Sequence, residues 1–197
     1  MVLMLMASTA NASDKSISVD GHTFTTDLDD TWKTDSATVT AYNPADTLGG
    51  ADQQHIASGA NDWSGYQVGM AFAHLEKLGP SGKYTLETEY GDSSIYVLNP
   101  TTSYVEKNKP TSSDILKHAT DLMINPSDLS GDALKSLSEK DKEYNGMQAH
   151  LVETDTDFSQ GVIAFFLDSN TVGIISTGTN KFGGMRAWDI IDSITVK

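Results

Sequence analysis

The chain contains no cysteine, which excludes disulfide staples, lipid attachment at a thiol, zinc held by thiolates and thiol catalysis. At 197 residues it can fold without such staples, so their absence does not argue against export. Basic residues are scarce: there is one arginine, Arg186, and the formal charge is −14. Proteins that grip duplex nucleic acid neutralise phosphates with clustered Lys and Arg, and docking to an anionic membrane asks for the same. Neither nucleic acid nor an anionic membrane surface is therefore an expected partner. The acidity reads most simply as solubility or adaptation to salt, and more sharply as attraction of cations or of a basic partner.

Catalytic signatures are missing as well. There is no G-x-S-x-G elbow and no glycine-rich phosphate loop, and the pairs Gly49-Gly50 and Gly183-Gly184 read as turns. The five histidines are His22, His55, His74, His118 and His150, and none form an H-E-x-x-H or i, i+4 pair. No cofactor is expected. Carboxylate pairs for glycoside hydrolysis are set by spatial distance, which the linear sequence does not show. No Pro-rich or Ser/Gly linker divides the chain, so residues 13–197 read as one domain.

What is present begins with an address. MVLMLMASTANA is apolar and then small, and Ala10-Asn11-Ala12 has the A-x-A form of a signal-peptidase site, leaving Ser13 as the mature N-terminus. The apolar run is far too short to span a bilayer, so an integral membrane protein is not expected. No Lys or Arg precedes it, so residues 1–12 read as the remnant of a signal peptide whose basic region is missing. The alternative is a disordered cytosolic tail. Export to the periplasm, cell surface or medium is the expectation.

The densest apolar stretch runs from Gln160 to Lys197. GVIAFFL and TVGIIST flank the polar turn Asp168-Ser169-Asn170, which predicts a β-hairpin with at least one buried face. Met185, Trp188 and Ile191 then fall three apart, one face of a short helix lying back across the sheet. Near the start, Asp20-Gly21 joins Ile17–Val19 to His22–Thr25 as another hairpin. Further strands are expected over Ala37–Tyr42, Tyr66–Ala73, Tyr84–Tyr90, Ser94–Leu98 and, after the Asn145-Gly146 turn, Met147–Thr154. The clearest helix spans Ser112–Ile124, with Ser112 or Ser113 as N-cap, an apolar stripe of Ile115, Ala119, Leu122 and Met123, and a stop at Asn125-Pro126. Ser127–Lys142 fits either a short helix or an irregular strand. Together these elements predict an α+β fold, a single antiparallel β-sheet covered by helices. One long Gly/Asp-rich loop, at about 44–64, interrupts it and is the first place to look for a variable binding loop.

That order of signals resembles the PsbP-like fold. The resemblance lies in the hairpin whose second strand leads from Phe24 to Trp32, the helix Ser112–Ile124 and the turned strand at Asn145-Gly146-Met147. The apolar hairpin Val162–Thr177 and the final run into Ile191-Asp192-Ser193-Ile194 complete it. It covers roughly Ser16 to Lys197 as a pattern without a diagnostic motif, and the 44–64 loop has no counterpart in it. The resemblance implies an exported binding or assembly module rather than an enzyme, and it transfers no functional residue.

Three sets of residues invite a functional reading. Asp27, Asp29 and Asp30 cluster at a strand end and could supply oxygen ligands to a hard cation, although the calcium-loop pattern is absent and a solvated turn is the plainer reading. His74 and Glu76 share a strand face, as an acid–base pair would. Trp63 and Tyr66 flank the Gly/Asp-rich loop and could contact sugar or protein; alternatively Trp63 pins the loop to the sheet. The expectation is an exported, non-catalytic module that binds an unidentified protein or envelope component. The alternative is a metal-dependent or acid–base hydrolase using Asp/Glu and His. A structural module acting by oligomerisation is the third option, and the sequence does not specify an oligomeric state.

Overall fold

The computed structural model describes residues 15–28, 38–42, 59–69, 91–180 and 186–197. The expected leader at 1–12, most of the 44–64 loop, and the expected strand at 84–90 lie outside these residues.

Two hairpins show how local chemistry sets the frame. β1 (Ser16–Val19) and β2 (His22–Thr26) join through Asp20 and Gly21, both at positive φ (48° and 82°). β6 (Ser138–Tyr144) and β7 (Met147–Asp155) join through Asn145 and Gly146, at 51° and 76°. Both turns have the twist that matches flanking antiparallel strands, and Asx-Gly is the pair that tolerates it. A third hairpin, β8 (Phe158–Phe166) and β9 (Val172–Asn180), is the one anticipated from its apolar runs. In its turn, Asp168 Oδ1 accepts the backbone N–H groups of Asn170 (2.8 Å) and Thr171 (2.9 Å).

With β3 (Thr38–Tyr42), β4 (Trp63–Gly69) and β5 (Gly91–Pro100), these strands form a seven-stranded sheet in the order β3-β4-β5-β9-β8-β7-β6, antiparallel throughout. Its central strands are buried on both faces. Ile95 to Leu98 on β5 and Gly161 to Phe165 on β8 are continuously buried, so the apolar runs mark a sheet that needs two covers.

Those covers correct the single-sheet expectation. One is a second sheet of three strands, β1-β2-β10, in which β10 (Ile194–Val196) pairs with β2. Ile17, Val19, Phe24 and Ile194 pack against Ile95, Val97, Leu151, Ile163 and Phe165 of the large sheet. The N-terminal hairpin alternates, with Ser18 exposed between Ile17 and Val19. It thus has one apolar face to bury, and it lies across the large sheet instead of extending it. Helix α4 (Ala187–Asp192) completes this layer through Ile191. Trp188, expected on its inward face, is only half-buried.

Helices form the opposite cover. α1 (Thr102–Asn108) was not anticipated; Thr101 caps its start and Lys109, at φ 47°, ends it before Pro110. α2 (Ser112–Asp121) lies on the sheet through Leu116 and Ala119, with Leu122 beyond its end, against Tyr96, Leu98, Val152, Val162 and Ile174. Its N-cap is Thr111, one residue ahead of the expected serines. Thr111 Oγ1 accepts the Asp114 N–H (3.2 Å) while Asp114 accepts the Thr111 N–H (2.8 Å). The ambiguous 127–142 stretch resolves into a 3₁₀ turn (Pro126–Asp128), a short helix α3 (Gly131–Ser136) and β6. Among the described residues no helix is long and apolar enough to cross a membrane.

Candidate functional site

Helix α2 presents three faces, and two of them carry ionisable groups. Leu116, Ala119 and Thr120 are buried on the sheet. Thr120 satisfies its hydroxyl by donating to the Lys117 carbonyl at 2.9 Å. Ser113, Lys117 and Asp121, spaced by one turn each, face the β6–β7 hairpin. His118 faces α1 and the start of β4.

On the His118 side, the imidazole Nε2 lies 3.0 Å from the Asp62 carboxylate, with the two side chains 24% and 29% exposed. The ring stacks on Tyr104 (centroids 4.8 Å) and is tilted against Trp63 (5.7 Å). A Cβ on Gly59 would lie 2.7 Å from His118 Cε1, so a glycine is needed beneath the ring. Burial pushes the Tyr104 phenol up, and the nearby Asp62 and Asp114 carboxylates push it further in the same direction. Asp62 is also fixed through its backbone, whose carbonyl accepts the Thr101 N–H at 2.7 Å.

On the hairpin side, the Asn145-Gly146 turn places Asp141 directly opposite His150. Asp141 Oδ1 lies 2.7 Å from His150 Nδ1. The His150 side chain is 8% exposed, and its Nε2 is buried without a hydrogen-bond partner, 3.9 Å from Glu139 Oε2. Glu139 is engaged by the Lys117 ammonium at 2.9 Å, and that hydrogen bond holds Lys117 above its usual range. Burial pushes the Asp121 carboxyl up, opposed by Lys117, His118 and His150.

Of the described residues singled out from sequence, Trp63 joins this site, whereas Tyr66 and Asp27 fall elsewhere. Trp63 is 2% exposed, inside the aromatic group with Tyr104 and His118, and its Nε1 is buried without a hydrogen-bond partner. Tyr66, three residues along β4, is 41% exposed. Asp27 is exposed just after β2, and its N–H donates to the Ser193 carbonyl at 3.0 Å. Asp29, Asp30, His74 and Glu76 lie outside the described residues. Among the described residues no group of three or more His, Cys, Asp or Glu side chains is placed to hold a metal ion.

The structure thus assembles two histidine–aspartate pairs that sequence spacing did not reveal. The Asp141–His150 pair had a usable signal, since a two-residue turn at 145–146 fixes which positions oppose. The Asp62–His118 pair, 56 residues apart, had none. Chemically, each carboxylate orients one imidazole and fixes which nitrogen carries the proton. No protein-family model matches the chain, and no curated protein matches it.

Proposed function

We propose that this chain is an exported, non-catalytic binding or assembly module, of the kind a PsbP-like resemblance implies, and that its partner is a protein or another envelope component. The observation that carries the reading is the setting of His118. Its Nε2 is engaged by Asp62, its ring lies against Tyr104 and Trp63, and its Cε1 edge rests on Gly59. A ring used in this way is a strut. It fastens the last residues of the Gly/Asp-rich stretch, Asp62-Trp63, to both helices, and three residues later β4 presents the exposed Tyr66 ring. Tyr66 lies on the opposite face of β4, on the Val97 side, so the strut fixes the start of the strand that carries it. A strand fixed in this way suits contact with a partner, because little backbone freedom is lost on binding. The leader-like start and the charge of −14 support export and a partner that tolerates or prefers acidity.

A photo-crosslinking residue at position 66, in the exported protein within its native envelope, tests this. The expected result is one adduct of defined mass that is absent when the same residue replaces the exposed Thr102. Identical patterns from both positions would count against the reading.

A second reading, acid–base hydrolysis, is favoured by the partial exposure of the His118–Asp62 pair. Hydrolysis of an ester or glycoside panel that is lost in His118→Gln, with the fold intact, would move the assignment there. The metal-dependent version predicts a zinc or calcium thermal shift that Asp29→Ala or His74→Ala removes.

A further inference from the structure

The outermost described strand at one end of the large sheet is β6, and an uncovered strand edge is a template for pairing with another chain. Its sequence, SEKDKEY, places every acid at an odd position (Glu139, Asp141, Glu143) and every lysine at an even one (Lys140, Lys142). The structure explains the alternation face by face. Glu139 and Asp141 point to the α2 side, meeting Lys117 and His150. Lys140 and Lys142 point to the other side, where Lys140 lies 3.5 Å from Glu153 and Lys142 Nζ sits 3.5 Å over the Trp188 ring.

The alternation has a consequence for a second copy of the chain. Two identical edges that extend one antiparallel sheet are related by a two-fold axis perpendicular to it, which keeps each face on its own side. Directly opposed residues must then share a face, so odd positions meet only odd ones and even only even. Centred on Asp141, the register opposes Asp141 to itself, Glu139 to Glu143 and Lys140 to Lys142. Centred on Lys140 or Lys142, it opposes lysine to itself and Asp141 to Glu139 or Glu143. Every register that overlaps the charged run sets like charges opposite each other, which is destabilising.

We infer that β6 is built to refuse a second copy of this chain: its charge parity blocks every two-fold antiparallel edge pairing that overlaps the charged run Glu139–Glu143, so the body of β6 is not a self-association surface. The proposal is independent of the function suggested above.

The test is the variant Lys140→Thr/Lys142→Thr/Glu143→Lys, which removes two positive charges and replaces one negative charge by a positive one, so the net charge is unchanged. In the Asp141-centred register it converts both Glu–Glu oppositions into Glu–Lys and both Lys–Lys oppositions into Thr–Thr. Sedimentation velocity should show a dimer for the variant, and hydrogen exchange should show β6 amides protected only in that dimer. In the wild type, β6 amides should exchange equally at low and high protein concentration. Glu143→Lys alone, at an exposed position, keeps the test available if the triple variant does not fold, and should self-associate about tenfold more tightly than wild type. A wild-type dimer with protected β6 amides would overturn the inference. So would a folded triple variant that stays monomeric, or, should that one not fold, a Glu143→Lys protein no more associated than wild type.

Discussion

The His118 imidazole and the Asp62 carboxylate, 56 residues apart in the chain, meet at 3.0 Å above Gly59. This one contact ties the start of β4 to α2. Its removal should therefore cost more than a surface ion pair, which is worth about 1 kcal/mol at most.

His118→Ala takes away the partner of a half-buried carboxylate and the ring that lies against Tyr104 and Trp63. Urea denaturation should show a loss of about 2–4 kcal/mol. Gly59→Ala, which pushes on the same ring from below, should lose about 1–3 kcal/mol. Because the two changes act on one contact, the double variant should lose less than their sum. Strict additivity would show that the strut does not exist.

Gly65 sits opposite Leu98 in the β4–β5 pair. A Cβ there would run into the Val97 carbonyl oxygen and come within 2.9 Å of Leu98 Cα, both backbone atoms that cannot turn aside. Gly65→Ala should lose ~3 kcal/mol or more. Gly178→Ala makes a useful comparison, since there the obstacle is the Phe158 ring at 2.7 Å, which can rotate. That change should lose about 1 kcal/mol. Equal losses would contradict the described register.

The Tyr144 hydroxyl lies 2.7 Å from both the Ile191 and Ile194 carbonyls, which share its one proton, and so joins the edge of the large sheet to α4 and β10. Tyr144→Phe should lose about 1–3 kcal/mol and speed hydrogen exchange in β10 before the rest of the chain. Burial pushes the phenol up from its ordinary value. A raised value means that the folded state keeps a proton the unfolded chain gives up, so wild-type stability should fall as pH rises past about 10. The Phe variant should lack that part of the alkaline loss.

Burial also raises the Asp121 carboxyl. The folded state then holds its proton more tightly than the unfolded chain does. This group therefore adds stability at pH values below its ordinary range, and the gain is lost as pH rises through the raised folded value. Asp121→Asn should relieve the penalty at neutral pH, raising stability by up to about 1 kcal/mol, since solvent screening limits a partly exposed group. Thermal melts from pH 3 to pH 7 check the sign: the variant's gain over the wild type should be small at pH 3 and grow as pH rises. A neutral-pH loss in the variant would mean that its attraction to Lys117 outweighs burial.

Much of the frame was legible because it is local. Asp-Gly has few ways to turn, so the first hairpin followed from two residues, whereas Asn145-Gly146 marked only the turn before β7 and the stretch ahead of it, 127–142, fitted helix or strand alike. The apolar runs around Asp168 required buried strands. Helix α2 announced itself by its stripe, but it starts after Thr111 and ends at Asp121, three residues before the expected Ile124, and it buries Leu116 where Ile115 was expected. Helix α1 left no such mark, because only Tyr104 among its residues is buried and one residue makes no periodicity.

By itself, then, the sequence determined an antiparallel α+β chain of strongly negative net charge, with its first and last hairpins marked by their turns. Only the tertiary structure decided that the first hairpin would take Ile194–Val196 as a third strand and form a separate sheet, and that His118 would find Asp62. The physical reason is range. Turn geometry and strand alternation act between neighbours along the chain, whereas these contacts exist only after a sheet buried on both faces has drawn its two covers together.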